Sequence, residues 1–243
     1  MPPRTAMLLT ALACASLSAQ AQTCSARSGA HSTPVVELYT SEGCNSCPPA
    51  DRWLSALSAR QDVVALAFHV DYWDRLGWAD RFASPAFTQR QAQQQAVNGS
   101  RYSYTPQVVI NGVDRKDWSG VSSVGASSRP SASVQITLGR SGDKLTATVQ
   151  ARDSARLSAY WAITESGHST AVKGGENSGA LLRHDHVVRE LQPVPAWAAA
   201  AGVPTTLQFQ PRIAATPGHL REVNLVVLDA DTGKPVQALK LVC

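Results

Sequence analysis

The sequence predicts an α/β unit in the N-terminal half and an all-β, sandwich-like unit in the C-terminal half. Three observations carry this. First, residues 34–39 are β-branched and aromatic, residues 50–57 space Trp53, Leu54 and Leu57 along one helix face, and residues 63–68 (VVALAF) form a continuous apolar run. Strand, helix and doubly buried strand make a βαβ crossover, which pairs its strands in parallel and gathers functional groups at their carboxyl ends. Second, residues 121–131 are rich in Ser and Gly and read as a linker, separating units at 30–120 and 132–243. Third, about seven short alternating or β-branched segments follow, at 132–138, 144–151, 156–164, 181–191, 206–209, 222–228 and 236–242, with turns at 140–143 and 231–234.

The chain opens with Arg4, an apolar stretch at 7–17 and Ala19-Gln20-Ala21, the pattern of a secretory signal peptide spanning residues 1–21. A retained anchor is the alternative, but the stretch is short for a membrane span, and no later run approaches ~20 apolar residues. A lipidated Cys14 is disfavoured by Ala11, where a lipoprotein signal favours Leu. The expected location is the periplasm or outside the cell, with no stable membrane insertion after cleavage. A formal net charge of +4, scattered along the chain, argues against nucleic acid as a partner.

Removal of the leader leaves Cys24, Cys44, Cys47 and Cys243. An even count in an exported chain suggests disulfides, and four cysteines allow three pairings. Local closure of Cys44 with Cys47 leaves Cys24 for Cys243, a bond between termini; free or intermolecular thiols are the alternative for that second pair. In the chain-entropy account a loop of that length is worth about 5 kcal/mol before strain.

Further along, Ser84-Pro85 is a helix start, predicting a helix over 85–97 with Gln89, Gln91, Gln93, Gln94 and Gln95 largely on exposed faces. Residues 105–113 read as a strand entering a turn at Asn111-Gly112, with a hairpin return. Residues 25–32 read as a flexible lead-in.

The phrases ELYTSEGCNSCPPAD (37–51), FHVDYWDRLGWADRFASPAF (68–87) and YTPQVVINGV (104–113) resemble a family of secreted, thioredoxin-like bacterial proteins of unassigned function. The resemblance is strong over about residues 34–118. It implies a thioredoxin-like α/β fold for the first unit, and a cis peptide before Pro106, preceded by Thr105, facing the dithiol and the client. Gly43 stands where thioredoxins commonly have Trp, Asn45-Ser46 replaces Gly-Pro, and residues 72–104 are longer than in the minimal fold.

Cys44 and Cys47 together read as a thiol–disulfide centre that needs no cofactor. Cys44, just before a helix N-terminus, is the expected exposed nucleophile, its thiolate favoured by free backbone N–H groups; Cys47, one turn further in, is the resolving thiol. The partners are then exported protein thiols or disulfides and a redox partner protein. A permanent structural disulfide in a non-catalytic binding protein is one alternative. Copper or other metal handling by Cys44, Cys47 and His69 is another, since soft thiolates suit Cu(I). Against the second, His69 is equally a structural histidine oriented by Asp71. Glu42 reads as a proton relay or an exposed loop carboxylate, and Trp73 and Trp78 as core or a lid. Asp71, Asp74, Asp80, Arg75 and Arg81 suggest a solvated ion network. His184, Asp185 and His186 read as surface residues of one strand, with the two histidines on a shared face.

Overall fold

The computed structural model describes residues 23–57, 60, 62–121, 124 and 129–243. The signal peptide expected at 1–21, and parts of the linker expected at 121–131, lie outside the described residues. Strand β1 (Thr23–Arg27) precedes β2 (Val35–Thr40), which runs into helix α1 (Pro48–Ser55) and then β3 (Val64–His69). β2 and β3 are parallel, with Tyr39 opposite Phe68 and Thr40 opposite His69, so Thr40 and His69 leave the sheet side by side. Helix α2 (Pro85–Val97) starts where Ser84 Oγ accepts the Ala86 N–H at 3.3 Å. β4 (Gln107–Ile110) lies antiparallel to β2 and returns as β5 (Val113–Asp114) through Asn111 and Gly112, both at positive φ.

The second half is built of β6 (Val134–Ser141), β7 (Lys144–Ala151), β8 (Ala155–Ser166), β9 (His168–Ala171), β10 (Leu181–His184), β11 (Val187–Ala199), β12 (Pro204–Phe209), β13 (Leu220–Asp229) and β14 (Pro235–Leu241). Eight strands form one sheet in the order β14-β13-β8-β11-β3-β2-β4-β5, four form a second in the order β1-β6-β7-β12, and β9 and β10 form a separate hairpin. The large sheet crosses from one half of the chain to the other where Val187 of β11 pairs with Ala67 of β3 and the Ala67 N–H donates to His186 O at 2.8 Å.

The expected fold class, a thioredoxin-like α/β domain followed by an all-β sandwich, is therefore corrected. The molecule is mostly β, α1 and α2 are its two α-helices among the described residues, and both halves contribute strands to one large sheet. Periodicity identified most of the strands but carries no information about which strand lies beside which. Residues 25–32 are not simply a flexible lead-in either, because β1 pairs with β6 along its whole length.

Side-chain alternation along the large sheet distributes three cores. Leu157, Trp161 and Ile163 of β8 and Leu225 and Val227 of β13 pack against Ile136, Leu138 and Val149 of the smaller sheet. Val36 and Leu38 of β2 meet Ala50 and Leu54 of α1. A third core uses residues from both halves, joining Tyr39, Phe68 and Phe87 to Tyr160, Ala162 and Val226. Burial of such side chains, at roughly 25 cal/mol per Å² of apolar area, is what holds the large sheet together.

Inside that shared core sits a carboxylate. Glu37 of β2, 2% exposed, accepts from Arg90 Nη2 of α2 at 2.6 Å and from Tyr160 of β8 at 2.6 Å, while Tyr39 donates to its other oxygen. Desolvation, then the Glu37 charge, holds the Tyr39 and Tyr160 hydroxyls neutral far above their ordinary range. Glu37 thus ties β2, α2 and the second half together. Glu37→Gln leaves the Arg90 charge buried without its counter-ion and is expected to cost about 3–5 kcal/mol in urea unfolding. Tyr39→Phe, which removes one hydrogen bond, should cost about 1 kcal/mol in the same measurement.

Candidate functional site

Beyond Thr40 the chain makes two tight turns, with Cys44 N donating to Ser41 O at 3.1 Å and Cys47 N to Cys44 O at 3.2 Å. Cys47 is the N-cap of α1, its carbonyl accepting from Ala50 N and Asp51 N, and Pro48 occupies the first helical position, where no N–H is needed. Cys44 and Cys47 form a disulfide with Cα atoms 5.4 Å apart. Ser46 Oγ lies 3.4 Å from Cys44 Sγ. Cys47 therefore sits at the cap rather than inside the helix. Both cysteines are 0% exposed, so Cys44 is not the exposed nucleophile expected from its place at a helix start. Asn45 and Ser46 between them are exposed.

The Thr105–Pro106 bond is cis. Thr105 Oγ1 accepts from Trp73 Nε1 at 2.8 Å, and a Cβ on Gly43 would stand 3.2 Å from Trp73 Cβ. Trp73 thus crowds a side chain at position 43, which favours glycine before the first cysteine. Gln91, fully buried, donates to Tyr104 O at 2.8 Å and Gln107 Oε1 at 3.0 Å, bracketing Thr105 and Pro106. Gln91 and Gln94 are buried rather than exposed because α2 presents Phe87, Arg90, Gln91 and Gln94, a helical stripe, to the protein interior.

Behind the dithiol loop lies a buried polar cluster. Asp80 Oδ2 is 2.7 Å from His69 Nδ1 and accepts the Glu42 N–H at 2.9 Å; Asp80 Oδ1 accepts the Phe82 N–H at 2.9 Å. Desolvation alone would raise the Asp80 carboxyl and lower the His69 imidazole; the pairing outweighs it, so Asp80 titrates below 3.8 and His69 above 6.5. Glu42 is fully buried, accepts from Trp78 Nε1 at 2.8 Å, and lies 3.2 Å from His184 Nε2. Burial would raise its carboxyl, but His184, Thr170 and Trp78 beside it hold it below 4.5. Asp51 follows Cys47 by one helical turn and accepts from Thr40 Oγ1 at 3.2 Å; desolvation raises its carboxyl above 3.8.

Several expectations are revised by this geometry. Glu42 is no exposed loop carboxylate. The expected ion network around 71–81 is instead a set of loop-forming bonds: Asp71 accepts from Thr88 Oγ1, Asp74 from the Asp80 N–H, and Arg75 and Arg81 donate to the carbonyls of Tyr72 and Ser169. Asp80, not Asp71, orients His69. His184 and His186 are 3% and 2% exposed and do not share a strand, because His184 ends β10 and His186, at φ 56°, lies in the bend before β11. His184 turns toward Glu42, whereas His186 Nδ1 lies 3.6 Å from Glu222 Oε2. Cys44 and Cys47 are bonded to each other, Asp80 holds His69 by Nδ1, and no three His, Cys, Asp or Glu side chains converge as a cation site among the described residues. Cys24 and Cys243 are bonded, with Cα atoms 6.0 Å apart.

Sequence reading missed the contribution of the β9–β10 hairpin. Asn177 Nδ2 donates to Glu42 O and Cys44 O, each at 2.9 Å, and Glu176 Oε2 accepts the Asn45 N–H at 3.1 Å. The available signal was the pair Gly174-Gly175, which marks a close backbone approach. A Cβ on Gly174 would lie 2.5 Å from Gly77 O.

A family model described as a protein of unknown function (DUF1223) matches residues 35–228. No curated protein matches the chain. Among solved structures, the chain is similar to a protein of Agrobacterium tumefaciens known from an X-ray crystal structure, at 30% identity and a TM-score of 0.67, over 88% of this chain and 96% of that one. HBP35 of Porphyromonas gingivalis is similar at 13% identity and a TM-score of 0.61, over 88% of this chain and 76% of that one, a likeness of fold.

The His69–Asp80 pair sets a pH window. The raised His69 value contributes stability below pH 6.5 that is lost as pH rises through its folded value; the lowered Asp80 value contributes above pH 3.8 and is lost as pH falls through its own. Asp80→Asn is expected to lower stability by about 3 kcal/mol or more between those limits, since it breaks a buried pair. It should also flatten the decline above pH 6.5, as read from melting temperature against pH.

Proposed function

The chain belongs to the DUF1223 family of proteins of unknown function, and we propose that this member is an exported thiol–disulfide oxidoreductase whose redox centre is Cys44 and Cys47. The observation that carries the reading is the disulfide closed across the start of α1 with the Ser46 hydroxyl beside Cys44 Sγ. Helix N-termini and hydroxyl donors stabilise a thiolate, and so favour the sulfur that exchanges. Kinship of the dithiol segment with the thioredoxin superfamily is part of the proposal. It is supported by the parallel β2 and β3, the dithiol between them, and cis-Pro106 leading into antiparallel β4. Export to the periplasm or beyond is supported by the leader-like residues 1–21 and by the Cys24–Cys243 bond, since such bonds persist in oxidising compartments.

Starting from the disulfide, a thiolate of an exported protein attacks Cys44 Sγ. A mixed disulfide forms, the bond to Cys47 breaks, and Cys47 leaves as a thiolate that takes up a proton. A second client thiolate then attacks the client sulfur of the mixed disulfide, so the client gains a disulfide and Cys44 departs as a thiolate. Two electrons have passed to the dithiol, which a redox partner reoxidises; clients whose disulfides are more oxidising drive the same steps in reverse. Asp51 and the Glu42–His184 pair provide protonatable groups near the centre.

The complete burial of both cysteines favours a second reading, a non-catalytic binding protein with a permanently closed disulfide.

Cys47→Ser, with Cys44 left to form mixed disulfides that cannot be resolved, is expected to accumulate covalent adducts with exported proteins on non-reducing gels, whereas Cys44→Ser accumulates almost none. Ser46→Ala should slow exchange several-fold, the effect of about 1 kcal/mol from one hydrogen bond. Absence of adducts in both cysteine variants, together with a 44–47 disulfide that resists strong dithiols in the folded protein, would select the second reading.

A further inference from the structure

We propose that residues 173–178, between β9 and β10, are a strap that closes over the Cys44–Cys47 disulfide, and that sulfur exchange requires its release. The inference rests on the exchange reading of these two cysteines and adds its regulation.

The strap is an ordered unit. Its neck is closed by Val172 N to Ala180 O and Gly179 N to Val172 O, both 2.9 Å, and its interior turns by Ser178 N to Gly175 O at 3.2 Å. Three hydrogen bonds attach it to the backbone on both sides of Cys44: Asn177 Nδ2 to Glu42 O and to Cys44 O, and Asn45 N to Glu176 Oε2. At its base Gly174 and Gly175 lie against Gly77 and Trp78, where a Cβ would come within 2.5 Å of Gly77 O and 3.2 Å of Trp78 Cβ.

These attachments are polar, and residues 173–178 bury no apolar side chain. Segments held in this way open at the lowest cost in a folded protein. The disulfide below presents the opposite situation. An attacking sulfur must reach Cys44 Sγ, and at 0% exposure it has no approach. A buried sulfur beside a segment held by a few polar side-chain bonds and bare glycine backbone is the geometry of a gate.

The gate is also coupled to redox state. Glu176 places a carboxylate on the Asn45 N–H, immediately after Cys44. Reduction to a Cys44 thiolate sets two negative groups at the same turn, so the closed strap favours the disulfide and the dithiol favours the open strap. By linkage the two preferences are equal in size.

The test uses the oxidised full chain, well below its melting temperature. Dithiothreitol converts the 44–47 disulfide to two thiols while closing its own, and alkylation with mass spectrometry follows each disulfide separately. Asn177→Ala, which deletes two of the three attachments, is expected to speed reduction of Cys44–Cys47 about tenfold and to leave the rate at Cys24–Cys243 unchanged. Gly174→Ala should do at least as much, and Glu176→Gln should shift the 44–47 potential to a less negative value. A wild-type rate in Asn177→Ala, or equal acceleration of both disulfides, would overturn the strap. Faster dithiothreitol reduction in Asn177→Ala, with no exchange against protein thiols in either that variant or the wild type, would overturn the exchange reading while leaving the strap in place.

Discussion

Asp80 is the constraint on which the site depends. Moving a carboxylate out of water costs several kcal/mol, so it persists at 5% exposure only where its acceptor positions are filled. One oxygen meets His69 at the exit of β3 and the Glu42 N–H at the exit of β2; the other takes the Phe82 N–H of its own loop. Three chain segments that no covalent bond joins locally are thereby fixed on one side chain. The dithiol begins two residues beyond Glu42, so its placement over the sheet follows from satisfying this charge. The indoles of Trp73 and Trp78 extend the same arrangement, one donating to Thr105 and the other to Glu42. Neither is simply core or lid.

The shared sheet explains why the second half of the chain reaches a site made by the first. β11 enters beside β3 with Val187 opposite Ala67, and β10 ends only three residues earlier, at His184. The β9–β10 hairpin is thereby held over the β2–α1 turn. His184 then faces Glu42 and Asn177 reaches Cys44 O without any long connection. Glu37, joined to Arg90 and Tyr160, secures the same junction on the other face of the sheet.

Local structure was legible where local rules decide it. β7 occupies the predicted 144–151, α2 occupies 85–97 behind its Ser84 cap, and Asn111-Gly112 turns β4 into β5. Partnership between distant segments was not legible. No periodicity tells that β11 lies between β8 and β3, so the fold class was misread from well-identified pieces. Polar residues misled for a related reason. Gln91, Glu42, His184 and His186 read as surface on residue type, yet each is buried beside a partner supplied from elsewhere in the chain. A buried polar residue is recognisable only once its partner is in place. The cysteine pairs were easier to read, since the short spacing of Cys44 and Cys47 left one partner for Cys24.

Reactivity and protection make opposing demands on such a dithiol. The features that favour a Cys44 thiolate, a helix start and the Ser46 hydroxyl, also favour indiscriminate exchange with any thiol that reaches it. Complete burial removes that hazard and, if permanent, removes exchange with it. Glycine at 174 and 175 reconciles the two demands, because the strap approaches as bare backbone and is held by side chains that also bond well to water. Release then exchanges protein hydrogen bonds for water ones at small net cost. A strap anchored by leucines would close as completely and could not open on the same terms, and this is the physical argument for polar residues along 173–178.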